Sequence, residues 1–317
     1  MENAKSISKE NAIGRDYLFH FLGIAAVSCL LIRGAKSFFY APSITAVLWN
    51  EEILLQVLPF LGLTYSEYLE LPAVNAIIHS FPYFLATGLT LCGLDVLRVY
   101  LANLQRKDDE LINQKLHSVA AYFGSFLIAT ICFLGFLSKG YKTAILIEWM
   151  IQISTPILFL LYLKHGVTYR LKRTIEIVTA FTFLGHGLFA GGFGYDVPGH
   201  FIDMTIGALA VEEKTARVFL FMIGLIDVAI FLALMFRIHI KSLLMWTVIW
   251  GGLTALSRVY TGTELTSLHS FAYWGVETLV RLPHMLVPLT LYYMIYHVPG
   301  KRHTKERSSM GLSKAAL

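Results

Sequence analysis

Apolar segments long enough to cross a membrane recur eight times along this chain of 317 residues. They run from about 18 to 25 residues, and a helix needs about 20 residues to cross a hydrocarbon core roughly 30 Å thick. Only 15% of the residues are charged, whereas a soluble domain has about a quarter. The predicted spans lie near residues 16–38, 73–97, 116–137, 143–163, 174–193, 216–236, 242–260 and 271–297. The sequence therefore predicts an all-α, polytopic membrane protein with eight transmembrane helices in a lipid bilayer.

The distribution of lysine and arginine predicts how these helices are oriented. Of the 26 basic residues, 18 fall in the two termini and in the loops after predicted helices 2, 4 and 6. Short cytoplasmic loops are enriched in such residues. We therefore expect both termini in the cytoplasm, with a polar N-terminus over residues 1–15 and a basic tail over residues 299–317. Because the net charge of +5 is spread over short loops and tails, no nucleic-acid partner is expected.

Two loops on the opposite, outer side are long enough to have structure of their own. The first, residues 39–72, has apolar residues at helical spacing around the acidic pair Glu51 and Glu52. This pattern predicts an amphipathic helix lying at the membrane surface. The second loop, residues 194–214, begins with glycine and proline turn residues and ends in another acidic pair. Neither loop is long enough for a separate soluble domain.

The two halves of the chain share short motifs that occur in the same order. Residues of predicted helix 4 recur in predicted helix 8 at a constant offset of 129. The matched pairs are Glu148 with Glu277 and Gln152 with Arg281. The motif GLDVL of helix 2 is matched by GLIDVA in helix 6, and RGAKSFFYAP at the end of helix 1 by HGLFAGGFGYDVPGH in helix 5. We predict two four-helix repeats, residues 16–165 and 166–298, which are parallel because each holds an even number of spans.

The end of the first predicted helix resembles a known membrane family. Gly34 and Lys36 form a G-x-K pattern after Arg33 and before aromatic residues. Together with the compact four-helix unit, this is similar to the DoxX-like family, which includes the DoxD and DoxX subunits of thiosulfate:quinone oxidoreductase and the MauE proteins. The second copy departs from the pattern, since it has His186 and Gly187 and no lysine two positions on. The resemblance implies a duplicated DoxX-like, multi-pass protein of the bacterial inner membrane with a quinone-linked redox or accessory role, and it assigns no catalytic residue.

Ionisable residues are concentrated in the last predicted helix. Glu277, Arg281 and His284 are spaced i, i+4 and i+7, so they share one face of a continuous helix. Such groups at membrane depth usually face a protein interior or a water-filled cavity. We expect one cavity, lined by helices 5, 7 and 8 and open to the outside. The residues expected around it are Glu277, Arg281, His284, His186, Arg258, His200 and Asp203. Alternatively, Glu277 and Arg281 only neutralise one another and hold the helices together.

These residue types suit an anionic or quinone-like ligand. Arg281 and Arg258 would donate charge-assisted hydrogen bonds. The two histidines would bind or transfer protons, and Glu277 would act as a counter-ion or proton acceptor. Asp95 and Asp227 stand at matched places in helices 2 and 6. We expect both to cap a helix or to pair with basic loop residues, and Asp227 is the better functional candidate of the two.

Quinone is thus the candidate cofactor, whereas haem and metal ions are disfavoured. Two axial haem ligands must lie at similar depth on facing helices. At 1.5 Å per residue, His186 and His284 are expected to differ in depth by about 8 Å. The sequence contains no H-x-x-x-H or H-E-x-x-H motif, and Cys29, Cys92 and Cys132 stand singly in apolar segments. We expect these cysteines to be small buried hydrophobic residues.

Three functions remain open from the sequence, and it does not decide whether the protein is an enzyme. The first is a quinone-linked redox protein or an accessory subunit of a membrane oxidoreductase. The second is a small-solute or ion transporter built from two parallel repeats around Glu148 and Glu277. The third is a membrane scaffold that binds a membrane or periplasmic partner protein through the outer loops. Because the inner half of the membrane contains few ionisable residues, a one-sided site is favoured over a transport path.

Overall fold

The computed structural model describes residues 16–40, 44–105, 114–262 and 267–298. Within these ranges every regular element is a helix, which confirms the all-α prediction. The polar N-terminus, residues 1–15, and the basic tail, residues 299–317, lie outside the described residues.

The chain forms long helices joined by short ones. In order they are α1 Asp16–Phe39, α2 Thr45–Leu48, α3 Glu51–Leu61, α4 Tyr65–Glu70, α5 Pro72–Leu104, α6 Gln114–Ser138, α7 Ala144–Glu148, α8 Met150–His165, α9 Tyr169–Ala190, α10 Gly199–Leu209, α11 Glu213–Met235, α12 Lys241–Gly262, α13 Leu268–Val280 and α14 Pro283–Tyr296. Helix α1 contains a π-helical segment, Ser28–Ile32, immediately before Arg33.

Six helices in the described ranges are long and apolar enough to cross a bilayer. They are α1, α5, α6, the combined α7–α8 segment Ala144–His165, α11 and α12. The protein is therefore a multi-pass membrane protein by helix length and composition. The other two predicted spans differ for physical reasons. Helix α9 carries three basic residues and Glu176 near its start, and the last span is divided at Arg281 and Leu282 into helices of 13 and 14 residues.

The loop over residues 39–72 contains a helix, α3, where the sequence predicted an amphipathic one. Leu54 and Leu58 are buried on one side of it, whereas Leu55 and Phe60 are exposed. The next helix, α4, begins with a capping box in which Thr64 and Glu67 bond each other's backbone amides. The loop is therefore a chain of short helices and not an extended connection.

In each half, the first and second long helices cross closely at glycine residues. A methyl group on Gly34 of α1 would lie 2.6 Å from Thr90 Oγ1 of α5. A methyl group on Gly224 of α11 would lie 2.5 Å from the backbone nitrogen of Gly191, which follows α9. Gly187 faces the same crossing, because a methyl group on it would lie 3.0 Å from the Gly224 carbonyl oxygen. Only residues without a side chain allow helix backbones to approach this closely.

The halves differ in how their second and third long helices pack. In the first half α5 and α6 pack along one another, whereas α11 and α12 of the second half touch only at a few residues. The short helix α10 packs against both α11 and α12. The halves are joined because α7 and α8 pack on α9, while α13 packs on α1. A gap is thereby left in the second half, between α11 and α12.

Candidate ligand-binding site

The gap between α11 and α12 contains a cavity of about 430 Å³. Helices α9, α10 and α14 complete its walls. Most of the lining is apolar and includes Phe183, Met204, Phe219, Ile223 and Trp250. Ligand cavities of a few hundred Å³ with apolar walls and a few polar groups are typical of small-molecule sites.

Four of the predicted site residues line this cavity together. They are His186 on α9, Arg258 on α12, Arg281 at the break before α14, and His284 on α14. The rings of His186 and His284 are 5.4 Å apart between centroids. The expected depth difference of about 8 Å between them, based on a rise of 1.5 Å per residue, is therefore wrong. It assumed a continuous, upright last helix, whereas α14 is a separate helix that begins at Pro283.

Several polar atoms at this end of the cavity have no partner in the described part of the chain. His284 is only 4% exposed, and within the described ranges its ring nitrogens make no hydrogen bond of good geometry, the nearest acceptor being the Arg281 backbone. The Nε atoms of Arg258 and Arg281 are likewise without a hydrogen bond. Within the described ranges neither guanidinium has a carboxylate oxygen within the 4.0 Å of an ion pair. Buried groups of this kind are normally satisfied, so these nitrogens are available to donate to water or to a ligand in the cavity.

Glu277 forms no ion pair within 4.0 Å with Arg281, the pairing that the structural alternative from the sequence assumed, although the two side chains are near enough to interact electrostatically. Its carboxylate forms an ion pair with Lys36 of α1. The i, i+4 argument assumed one continuous helix, but α13 ends at Val280 and the chain turns at Arg281, whose φ is −95° and ψ is −1°. Because α13 packs on α1, Glu277 faces Lys36 across the two halves. Arg281 is thereby left to the cavity.

The remaining repeat-related residues lie at the junction of the two halves. The Arg33 guanidinium donates to the Gln152 side-chain carbonyl and lies 4.3 Å from the centroid of the Trp149 ring. Glu148 Oε1 is 3.7 Å from His186 Nδ1. The two residues can lie this close because Gly185 has no side chain. A methyl group there would come within 2.6 Å of the Glu148 amide nitrogen. Glu148 thus supports His186, a lining residue, from outside the cavity.

Asp227 of α11 is a further polar residue of the cavity wall. It is fully buried, and neither carboxyl oxygen has a hydrogen-bond partner in the described ranges. The expectation of pairing with basic residues is right for Asp95, which is 2.8 Å from Arg98 Nη2 and 3.0 Å from His117 Nδ1. It is wrong for Asp227. The signal in the sequence is a single acidic residue inside an otherwise apolar span, which is uncommon unless it is functional.

His200 and Asp203 are exposed on α10 and do not line the cavity. Helix α10 directs its other face inward, and residues 201, 204, 205 and 208 form that face. The i, i+3, i+4 spacing of these residues is the signal for an inward helix face. Within the described ranges, no group of three or more His, Cys, Asp or Glu side chains is close enough to hold a metal ion.

Comparison of the chain with protein-family models, with curated proteins and with solved structures gives no match. The DoxX-like resemblance therefore stays a prediction.

Proposed function

We propose that this membrane protein binds an amphiphilic ligand whose acidic or carbonyl head lies among Arg258, Arg281 and His284. The apolar body of the ligand would occupy the cavity between α11 and α12. The observation that carries the proposal is the pair of arginines that line the cavity with unbonded Nε atoms and, within the described ranges, without a carboxylate oxygen at ion-pair distance. A guanidinium at membrane depth is costly without a counter-ion or hydrogen-bond acceptor, and an acidic head supplies both.

The head-group chemistry follows from the donors. Arginine donates to planar oxygen pairs in a bidentate manner, which suits a carboxylate or a phosphate. A quinone carbonyl is a second acceptor of the same class, and His284 beside His186 offers a route for proton exchange with it. Quinone binding, with a redox or accessory role in a membrane oxidoreductase, is therefore one form of this proposal, and binding of an anionic lipid head is the other. The quinone form rests on this donor chemistry together with the DoxX-like resemblance.

We also propose that the chain crosses the bacterial inner membrane eight times as two parallel four-helix repeats, with both termini in the cytoplasm. Two features support the repeats. The Gly34 crossing of α1 with α5 and the Gly187 crossing of α9 with α11 fall at matched positions of the repeat. In addition, the carboxylate of each fourth helix pairs with the first helix of the other half, Glu277 with Lys36 and Glu148 with His186.

A small-solute transporter is the second candidate function. It is favoured by a helix break near Glu148 and another near Glu277. The first break is at Trp149 between α7 and α8, and the second is at Arg281 between α13 and α14. Broken helices are typical of substrate sites in transporters with internal repeats. The cavity, however, lies in one half only, which is the arrangement of a binding site.

The test is co-purification of the ligand with the full chain. The protein would be purified in mild detergent, and bound lipid-soluble molecules would be extracted and identified by mass spectrometry. In parallel, binding of an added short-chain ubiquinone and of an added fatty acid would be measured by titration. Each charge-assisted hydrogen bond contributes about 1.5–3 kcal/mol, so Arg258→Gln and Arg281→Gln should each weaken binding by roughly tenfold to a hundredfold.

Arg217→Gln is the matched control, because Arg217 is exposed on α11 and pairs with Glu213 one turn away. It should leave binding unchanged. Equal binding by wild type and by both cavity arginine variants would refute the proposal, as would the absence of any bound or added ligand on a monodisperse wild-type protein.

A further inference from the structure

The apolar wall of the cavity extends to the outer surface of the helix bundle. Leu253, Leu256 and Tyr260 all line the cavity, yet they are 51%, 61% and 74% exposed. Leu209, at the end of α10, also lines the cavity and is 48% exposed. The cavity is therefore open at this place, and the rim of the opening is apolar.

The rim lies on the side of α12 that faces away from the bundle. Ile249, Leu253, Leu256 and Tyr260 are all exposed and follow one another at spacings of four, three and four residues. This spacing places them along one face of the helix. Helix α12 is one of the candidate membrane spans, and an exposed apolar face on such a helix is in contact with lipid. With α12 spanning the bilayer, the opening would face the hydrocarbon.

The opening exists because the second half lacks a helix contact that the first half has. Helices α5 and α6 close on one another in the first half, whereas α11 and α12 touch only at a few residues. The rings of Phe219 and Trp250, with centroids 6.1 Å apart, are among the few contacts across that gap. From the rim, the lining continues inward over Ile223, which is 4% exposed, to the buried Arg258.

We propose that the cavity is entered sideways from the bilayer, and that its ligand is a membrane-dissolved anion with a hydrocarbon tail. The tail would pass between α11 and α12 at Leu253 and Leu256, while the head reaches the arginines. The nature of the head rests on the proposed function, whereas the entry route rests only on the exposed apolar rim. The two claims can therefore fail separately.

The test is photo-crosslinking of the full-length protein in lipid nanodiscs. The probes are a phosphatidylglycerol and a phosphatidylcholine, each with a diazirine in the middle of one acyl chain. Crosslinked residues are mapped by peptide mass spectrometry. Leu220 and Ile223 are the reporters, because they are 5% and 4% exposed and both line the cavity. A chain that stays in the bulk bilayer does not reach them, so labelling of these residues reports entry.

Leu253→Trp should abolish labelling of the reporters by filling the opening. Its matched control is Ile249→Trp, because Ile249 is 49% exposed one turn earlier on the same helix and does not line the cavity. The control should keep wild-type labelling. Size-exclusion profiles of both variants confirm that each is folded.

The outcomes separate the two claims. Labelling of Ile223 that Leu253→Trp removes and Ile249→Trp preserves supports sideways entry. If both probes label Ile223 equally, and Arg258→Gln changes neither, the route stands but the anionic head does not. If wild type shows no labelling of Leu220 or Ile223 while ligand binding to the arginines is intact, sideways entry is overturned and the proposed function is untouched. Equal labelling in wild type and Leu253→Trp also overturns it.

Discussion

The ion pair between Lys36 and Glu277 allows a quantitative test of the way the two halves are joined. The side chains are 21% and 12% exposed, so the pair is mostly removed from solvent. Removing one partner of a fully buried pair costs about 3–5 kcal/mol. The residual exposure lowers this, and we expect a coupling free energy of about 1–3 kcal/mol between the two residues.

The perturbation is a double-mutant cycle of Lys36→Met, Glu277→Gln and the double variant. The free energy of unfolding of the full chain in bicelles is measured by denaturant titration, with helix content as the signal. The double variant should be less destabilised than the sum of the two single variants, because no charge is left without its partner. A second cycle, Glu277→Gln with Arg281→Met, gives the matched comparison. A coupling below about 0.5 kcal/mol in the first cycle, or a larger one in the second, would refute the pairing described above.

Three further predictions concern single residues. Gly224→Ala should destabilise the protein by about 1–3 kcal/mol, because the added methyl group would meet the backbone at Gly191. Its control is Gly135→Ala, which has open space around the added methyl group and should be neutral or stabilising by up to about 1 kcal/mol. Thermal unfolding in detergent measures both variants. Asp227→Asn should retain the wild-type stability, because the carboxyl group has no hydrogen-bond partner in the described ranges to lose. A decrease of more than about 2 kcal/mol in the free energy of unfolding would show that the carboxyl group has such a partner. The backbone amide and hydroxyl of Thr64 lower the pKa of Glu67, so the contribution of Glu67 to the stability of α4 should be present above the unfolded pKa and be lost as the pH falls through the lower folded pKa. Carboxyl NMR titration measures the folded pKa, which Thr64→Ala should raise because it removes the hydroxyl and keeps the backbone amide; an unchanged midpoint contradicts the contribution of the hydroxyl.

The helices of this protein could be predicted from sequence because their signal is local. An apolar run of about 20 residues specifies a membrane-crossing helix almost regardless of its neighbours, and the long helices begin and end close to the predicted places. Helix α3 was also visible in its spacing. The break before α14 had a signal too, since Pro283 stands at a helix start and the residue before a proline is disfavoured in a helix.

The site depends on tertiary structure and could be predicted only in part. The four predicted residues that line the cavity, His186, Arg258, Arg281 and His284, stood out in the sequence because ionisable residues are rare in apolar spans. The sequence did not identify the partner of Glu277, since Lys36 lies 241 residues away and no pattern within a single helix encodes that contact. It predicted a cavity lined by helices 5, 7 and 8, but not that α10 and α11 also form its walls, which follows from the small contact between α11 and α12.

The division of the last span has a mechanical consequence. Helices α13 and α14 are separate helices, and Arg281 lies at the joint between them. A ligand head that drew Arg281 toward itself would change the angle between the two helices, in the manner of a hinge. One turn before the joint, Glu277 holds α13 to Lys36 of the first half. The proposed ligand would thereby act on the first half through α13, because α1 is the helix that α13 contacts there.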